Sequence, residues 1–177
     1  RDSVLGRDPH DWDITTSASP EQVKELIDRP IDTGIQHGTV TVMIDREGYE
    51  VTTYRIDGEY EDGRHPKEVC FTSSLEEDLK RRDFTMNAIY MDLNQNILDP
   101  FNGQEDLAKG MIKTIGDPYV RFKEDPLRIL RAVRFAMLLH FEIEEETKLA
   151  MMKEKDFILN MNPQKVEEEI RKMKKIL

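Results

Sequence analysis

Two consecutive β-branched runs, separated by turn-forming residues, constrain the fold of this chain more than any other feature. Thr39-Val40-Thr41-Val42-Met43-Ile44 reads as a strand and Tyr49-Glu50-Val51-Thr52-Thr53-Tyr54 as a second. Arg46-Glu47-Gly48 supplies the turn chemistry between them, so the pair is expected to form a hairpin. Helix signals flank it. Ser19-Pro20-Glu21 is a helix start, Ser at the N-cap and Pro at the first helical position, ahead of Val23, Leu26 and Ile27. A further helix is expected from Leu75 to Ala88, then a strand around Ile89-Tyr90-Met91-Asp92 and a turn at Asp99-Pro100-Phe101-Asn102-Gly103. Beyond Gly116 the pattern is helical only: Pro126 to Leu139, about Glu144 to Lys155, and Pro163 to Leu177, with Val166, Ile170, Met173 and Leu177 on one face. The expected class is therefore α+β, with a small mixed or antiparallel sheet flanked by helices and an all-helical part after it. We divide the chain at 1–115 and 116–177.

Composition narrows the function. Charged residues make up 35% and hydrophobic residues 38% of 177, and no apolar run approaches the roughly 18 residues of a membrane span, so no membrane partner is expected. Cys70 is the single cysteine, which leaves no disulfide framework and points to a reducing cytoplasm. The net charge of −10 argues against a simple basic nucleic-acid binder but leaves room for acids gathered at a metal centre. Both ends read as cut: the chain opens at Arg1, and Ile176 and Leu177 still follow a helical pattern.

Three constellations carry chemistry. Asp11 and Asp13 stand one residue apart, and on an extended strand such side chains point to the same face and converge on one cation. Two carboxylates with phosphate oxygens and water make a Mg²⁺ site, since Mg²⁺ seldom takes an all-protein cage. Glu50 sits inside a strand. It is either a solvent-facing position or a third carboxylate of a two-metal site. Lys80-Arg81-Arg82-Asp83-Phe84-Thr85-Met86-Asn87 offers forked donors to phosphate in Arg82, with Asp83 and Asn87 suited to sugar hydroxyls. The plainer alternative is a solvated helix face paired with Glu76, Glu77 and Asp78. Glu124-Asp125-Pro126-Leu127-Arg128 contains a helix N-cap in Asp125, and Arg128, Arg131 and Arg134 recur every three residues as an anion-binding stripe.

These constellations stand in a familiar order. Arg1 to Thr16 resembles the end of the G-G-x-V-R-D…D-x-D motif of the tRNA nucleotidyltransferase (CCA-adding enzyme) and bacterial poly(A) polymerase family. Arg82-Asp83…Asn87 resembles its R-R-D-F-T-x-N-A motif. Asp99-Pro100…Gly103…Asp106-Leu107 is similar to its hinge motif, and Glu124-Asp125…Arg128 to its E-D-x-x-R motif. The resemblance covers nearly the whole chain. It implies a nucleotidyltransferase head followed by a helical neck, with two glycines before Arg1 and the tRNA-holding body and tail absent from the sequence.

It further implies template-independent addition of CMP and AMP, from CTP and ATP, to the 3′ end of tRNA. The catalytic residues would be Asp11, Asp13 and Glu50, with Mg²⁺ on Asp11 and Asp13. Arg1, Arg82, Asp83, Asn87, Asp125, Arg128, Arg131 and Arg134 would bind the nucleotide. Asp125 and Arg128 would read the base. The stretch Asp57-Gly58-Glu59-Tyr60-Glu61-Asp62-Gly63-Arg64 resembles the flexible loop that A addition needs. The alternatives are an A-adding or poly(A)-adding specialist of the same family, or a non-catalytic nucleotide- or RNA-binding fragment.

Overall fold

The computed structural model of the protein describes residues 1–9, 12–27, 31–34, 37–58 and 69–177. A four-stranded mixed sheet opens the fold. Its strands are β1 (Ile14–Thr16), β2 (Ile31–Gly34), β3 (Thr39–Ile44) and β4 (Glu47–Thr53), in the order β1-β4-β3-β2. β1 runs parallel to β4, and the other neighbours are antiparallel. The helix α1 (Pro20–Glu25) lies against β3 and β4; Ser19 caps it through the Gln22 N–H, and the Gln22 side chain returns the bond to the Ser19 N–H.

The expected hairpin forms, with its turn one residue earlier than the composition suggests. The ladder runs without interruption from Thr39↔Thr52 to Ile44↔Glu47, which leaves Asp45 and Arg46 as a two-residue turn and takes Glu47 and Gly48 into β4. Both turn residues have positive φ, 50° and 72°. That is the twist-matched geometry of a two-residue hairpin loop, here made without glycine. Left-handed backbone costs an L-residue about 1–2 kcal/mol, partly offset by the entropy a glycine would lose. Arg46→Gly is therefore expected to stabilise the protein by about 0.5–1 kcal/mol, read as a rise in the urea midpoint at unchanged slope.

Two short ladders follow, β5 (Arg55–Asp57) with β6 (Val69–Phe71), and β7 (Tyr90–Met91) with β8 (Ile97–Leu98). The single helix expected from Leu75 to Ala88 is two pieces: α2 (Leu75–Lys80) and a 3₁₀ turn at Thr85–Asn87. The break has a tertiary cause. Phe84 leaves the helix to bridge Thr114, the Thr85 N–H bonds the Lys113 carbonyl, and the Ile115 N–H bonds the Asp83 carbonyl. α3 (Gly103–Lys109) packs on that 3₁₀ turn so closely that a Cβ on Gly103 would stand 2.2 Å from the Thr85 carbonyl oxygen. Thr85 Oγ1 also donates to Asp106 Oδ2 at 2.6 Å.

The second half is α4 (Pro118–Glu124), α5 (Leu127–Leu139), α6 (Glu145–Glu154), a 3₁₀ stretch (Lys155–Asn160) and α7 (Pro163–Lys174). It is not purely helical. β10 (Glu142–Ile143) pairs in parallel with β9 (Met111–Ile112) and ties the two halves together. One buried cluster spans them as well, with Phe84, Met86, Leu107 and Ile112 packed among Phe122, Ile129, Phe135 and Ala150. On α7, Val166 and Met173 are half-buried while Ile170 and Leu177 are exposed, and Glu169 is the residue buried against its neighbours. No helix among the described residues is long and apolar enough to cross a membrane.

Candidate active site

Alternation along the sheet sorts its side chains into two faces. Val40, Val42 and Thr53 are buried on the face that α1 covers. The other face carries Thr15, Thr52 and Thr39 in one row, with the Thr39 and Thr52 hydroxyls 3.0 Å apart, and Thr41 beside Glu50 in the next. β1 pairs Ile14 with Val51. Carried back one residue, that register sets Asp13 beside Glu50, on this second face, and both are exposed. Asp11 lies outside the described residues, as does the expected loop from Glu59 to Arg64. Among the described residues there is no group of three or more His, Cys, Asp or Glu arranged to hold a metal ion.

The arginine-rich segment is organised around Tyr90 and Asp78. The Tyr90 phenol accepts from Arg82 Nη2 and donates to Asp78 Oδ2 at 3.2 Å. Arg82 also lies over the Tyr90 ring, 4.9 Å from its centre, and its Nη1 reaches the Asn87 carbonyl at 3.3 Å. Asp78 is 1% exposed and collects Arg81 Nε and Nη2 and the Arg55 N–H on its other oxygen. Burial opposes its charge, but Arg81 and Arg82 outweigh that and hold the carboxyl below its ordinary value. Burial, with the Asp78 charge, pushes the Tyr90 phenol up to about 12 against the pull of Arg82. Tyr90 therefore stays a proton donor at neutral pH.

Asp83, Asn87 and Arg131 form a second knot. Asp83 Oδ2 accepts from Arg131 Nε at 2.7 Å and Nη2 at 2.6 Å, while Oδ1 accepts from the Phe84 N–H and Asn87 Nδ2 at 2.8 and 3.0 Å. A carboxylate has about four acceptor positions, and all are taken within the protein. Burial raises the Asp83 pKa, yet Arg131 and the hydrogen bonds reverse the sign and leave it below its ordinary value. The expected contact from Asp83 to a sugar hydroxyl is thus not open in this arrangement; Asp83 holds Arg131. Arg1 donates to Asn87 Oδ1 at 3.3 Å, and Arg1, Arg131 and Arg134 all crowd the Phe135 ring, at 5.1, 5.4 and 4.4 Å from its centre. Arg134 is itself held by the buried Glu169, 2.7 Å away.

The Glu124-Asp125…Arg128 segment stands at the junction of α4 and α5. Asp125 is extended and its Oδ1 accepts from the Leu127 N–H at 3.0 Å, the capping bond that Asp-Pro implies, with the helix boundary one residue later. Arg128 is 5% exposed. Its guanidinium donates to Glu124 Oε2 at 3.1 Å, the Arg121 carbonyl at 3.3 Å and the Arg81 carbonyl at 3.0 Å. Arg121 bonds the Lys80 and Ile115 carbonyls and Glu124. The two arginines thereby satisfy the last carbonyls of α2, carbonyls a helix end leaves without partners.

The structure therefore brings Arg1, Arg82, Asp83, Asn87 and Arg131 into one connected seam against α5. Arg134 stands at its far end and Arg128 beneath it. Sequence reasoning placed Asp78 only as an ion-pair partner on a solvated face, and it missed Tyr90, Arg121 and Glu169. Asp78 had a visible signal, its i+3 and i+4 spacing to Arg81 and Arg82; the other three are defined by long-range partners.

Comparison with known proteins gives a consistent result. The Poly A polymerase head domain matches residues 1–113. The CCA-adding enzyme of Lactobacillus helveticus is 51% identical over 173 residues, covering 98% of this chain and 43% of that protein. Among solved structures, the Bacillus stearothermophilus CCA-adding enzyme in complex with CTP superposes with a TM-score of 0.90 at 42% identity, over 97% of this chain and 41% of the other. A tRNA nucleotidyltransferase complexed with a primer tRNA and an incoming ATP analog gives 0.75 at 29% identity, over 99% and 52%. The chain thus spans less than half the length of the curated relatives it matches.

Proposed function

We propose, because the chain belongs to the poly A polymerase head domain family, that its protein is a template-independent RNA nucleotidyltransferase. It would add CMP and AMP from CTP and ATP to the 3′ end of tRNA, in the cytoplasm, with residues 1–115 as the head and 116–177 as the neck. The observation that carries this reading is the register of β1 with β4, which extended back one residue sets Asp13 beside Glu50 on the open sheet face. Relatives solved with CTP and with primer tRNA and an ATP analog support the substrate class.

The described donors suit magnesium: Asp13 and Glu50 are exposed carboxylates that leave room for water and phosphate, as a hard cation with few protein ligands requires. Asp11 and Asp13 would hold it, with Glu50 the third carboxylate. Bound there, Mg²⁺ supplies neutralisation of phosphate charge and a more acidic primer hydroxyl. The protein's own part is positional. Arg82 and Arg1, with Arg131 and Arg134, set a cationic border for the triphosphate. Asn87 serves the ribose, and Asp83 contributes by aiming Arg131.

With no template, protein must read the base. Cytosine and adenine each present an exocyclic amine donor beside a ring-nitrogen acceptor, so a carboxylate and a guanidinium match both. Uracil and guanine present the reverse, leaving buried groups unpaired at roughly 1–3 kcal/mol each. Asp125 and Arg128 are the proposed readers, one Asp125 oxygen being kept for the helix cap. Arg128→Ala is expected to relax selection against UTP while slowing use of CTP and ATP. It also strips the Arg81 carbonyl and Glu124 of a donor, so the thermal midpoint is measured alongside. Incorporation of all four nucleotides is then compared on equal folded protein; unchanged base choice would sink the assignment.

The activity itself is tested by incubating the full-length protein with tRNA lacking its 3′ end, Mg²⁺ and labelled CTP or ATP. Ordered C and A addition is expected. Addition of A alone, or runs of A, would indicate the specialist instead, and no incorporation would overturn the proposal.

A further inference from the structure

Asp78 is a buried carboxylate to which the chemistry above gives no part, and it accepts from β5, from the end of α2 and from β7. Oδ1 takes the Arg55 N–H at 3.1 Å and Arg81 Nε and Nη2 at 3.0 and 2.8 Å. Oδ2 takes the Tyr90 hydroxyl at 3.2 Å and Arg82 Nη2 at 3.4 Å. The two oxygens thus serve different elements. Oδ1 fixes α2 to the start of β5, and Oδ2 faces β7 and Arg82.

Arg82 lies beyond the last residue of α2, so the helix alone does not set its side chain. Its N–H bonds the Leu79 carbonyl at 3.1 Å, and that extra turn brings the guanidinium back to Asp78, four residues earlier. Asp78 is the carboxylate paired with Arg82 among the described residues. Arg82 Nη1 reaches the Asn87 carbonyl at 3.3 Å, and the guanidinium lies over the Tyr90 ring, 4.9 Å from its centre. Nε is buried with no hydrogen-bond partner, so the cation is held through its Nη atoms rather than by a full set of acceptors. The side chain is still 26% exposed, so part of it reaches solvent.

We propose that Asp78 is a positioning residue that holds Arg82 in place to meet the phosphates of the incoming nucleotide. The inference rests on the function proposed above, in which Arg82 binds the triphosphate. A free arginine loses side-chain entropy when it meets a phosphate, and one already held has less to lose. Charge favours the arrangement as well. Arg81 and Arg82 bring two positive charges to one carboxylate, so the cluster keeps a net positive charge for an anion to meet.

Asp78→Asn in the full-length protein is the test. An amide keeps one acceptor oxygen, so it cannot serve both Arg82 and the set formed by Arg81 and the Arg55 N–H. Affinities for CTP and for cytidine, measured without turnover, separate positioning from folding. The substitution is expected to weaken CTP about tenfold, the effect of one charge-assisted hydrogen bond, and to move cytidine by less than about twofold. In the Arg82→Ala background it should change CTP affinity by less than about twofold, since the group it positions is gone. Asp78→Glu keeps the charge and displaces it by one methylene. It is expected to fold and to weaken CTP in the same direction, and it carries the test if the amide variant does not fold. Equal loss of CTP and cytidine binding would overturn the proposal, as would unchanged CTP affinity or the same loss in both backgrounds. Failure of both variants to fold would make Asp78 a structural residue and overturn it too. A wild-type protein that binds CTP, with no selective loss in the variants, fails the positioning role alone. One that binds no CTP fails the functional reading and this inference with it.

Discussion

Asp13→Asn is expected to reduce nucleotide transfer by about a thousandfold or more, because several kcal/mol of transition-state stabilisation depend on the metal site and each 1.36 kcal/mol is a factor of ten. The fold should survive the change. Asp13 is exposed, precedes β1 rather than lying inside it, and loses charge without losing volume, so its effect on stability is expected to stay within about 0.5 kcal/mol. Initial rates of C addition and a thermal melt on the same preparation separate the two quantities. Raising Mg²⁺ should recover part of the rate if the lost carboxylate was a ligand. A variant that melts far below wild type would instead make Asp13 a structural residue, and full activity would remove it from the site. Glu50 is the internal comparison: it is equally exposed and its register puts it on the same face, so Glu50→Gln should lose activity with the same indifference of the fold.

What the sequence made legible was whatever local physics decides. The hairpin came from alternating β-branched residues, and its pairing register alone then carries Glu50 to the open face beside Asp13. The start of α1 came from Ser19 at the N-cap ahead of Pro20, and the Asp125 cap from an Asp-Pro pair. Two of the failures share a tertiary cause. A helix through Ala88 satisfied periodicity, but the backbone at Asp83 to Thr85 is claimed by residues 113–115, some thirty positions away. β9 and β10 are two residues each and exist only because the halves pack. α4 was legible and overlooked: Asp117 caps it through the Tyr119 and Val120 N–H groups, ahead of Pro118. For the site, the residue types were readable and their partners were not. Asp83 and Arg131 each suit a nucleotide, yet they meet one another. Burial favours that outcome, because a carboxylate taken from water needs its compensating charge inside the protein.

That pairing yields the largest expected effect on stability. Arg131→Met leaves Asp83 buried with two hydrogen bonds and no counter-charge, and breaking a buried pair from one side costs about 3–5 kcal/mol. The lower end is expected, since the Arg131 side chain is 33% exposed and water already screens part of the interaction. Asp83→Asn should cost less, because the orphaned guanidinium can turn to solvent while an orphaned carboxylate cannot. The pH dependence carries the sharper test. In wild type the folded-state pKa of Asp83 lies below its ordinary value of 3.8, so its contribution is present above that value and is lost as pH falls through the folded pKa. Removing Arg131 leaves burial, the largest influence on Asp83, opposed only by the Asn87 and Phe84 hydrogen bonds, so the folded-state pKa is expected to rise past its ordinary value. The folded variant then binds a proton before the unfolded chain does, so the stability contribution of this group rises as pH falls through the raised pKa. The deficit of Arg131→Met relative to wild type should therefore be greatest at neutral pH and shrink on acidification towards pH 4. Urea unfolding of both proteins across that range measures it directly. A deficit that stays constant or widens at lower pH would mean that Asp83 does not depend on Arg131 for its charge.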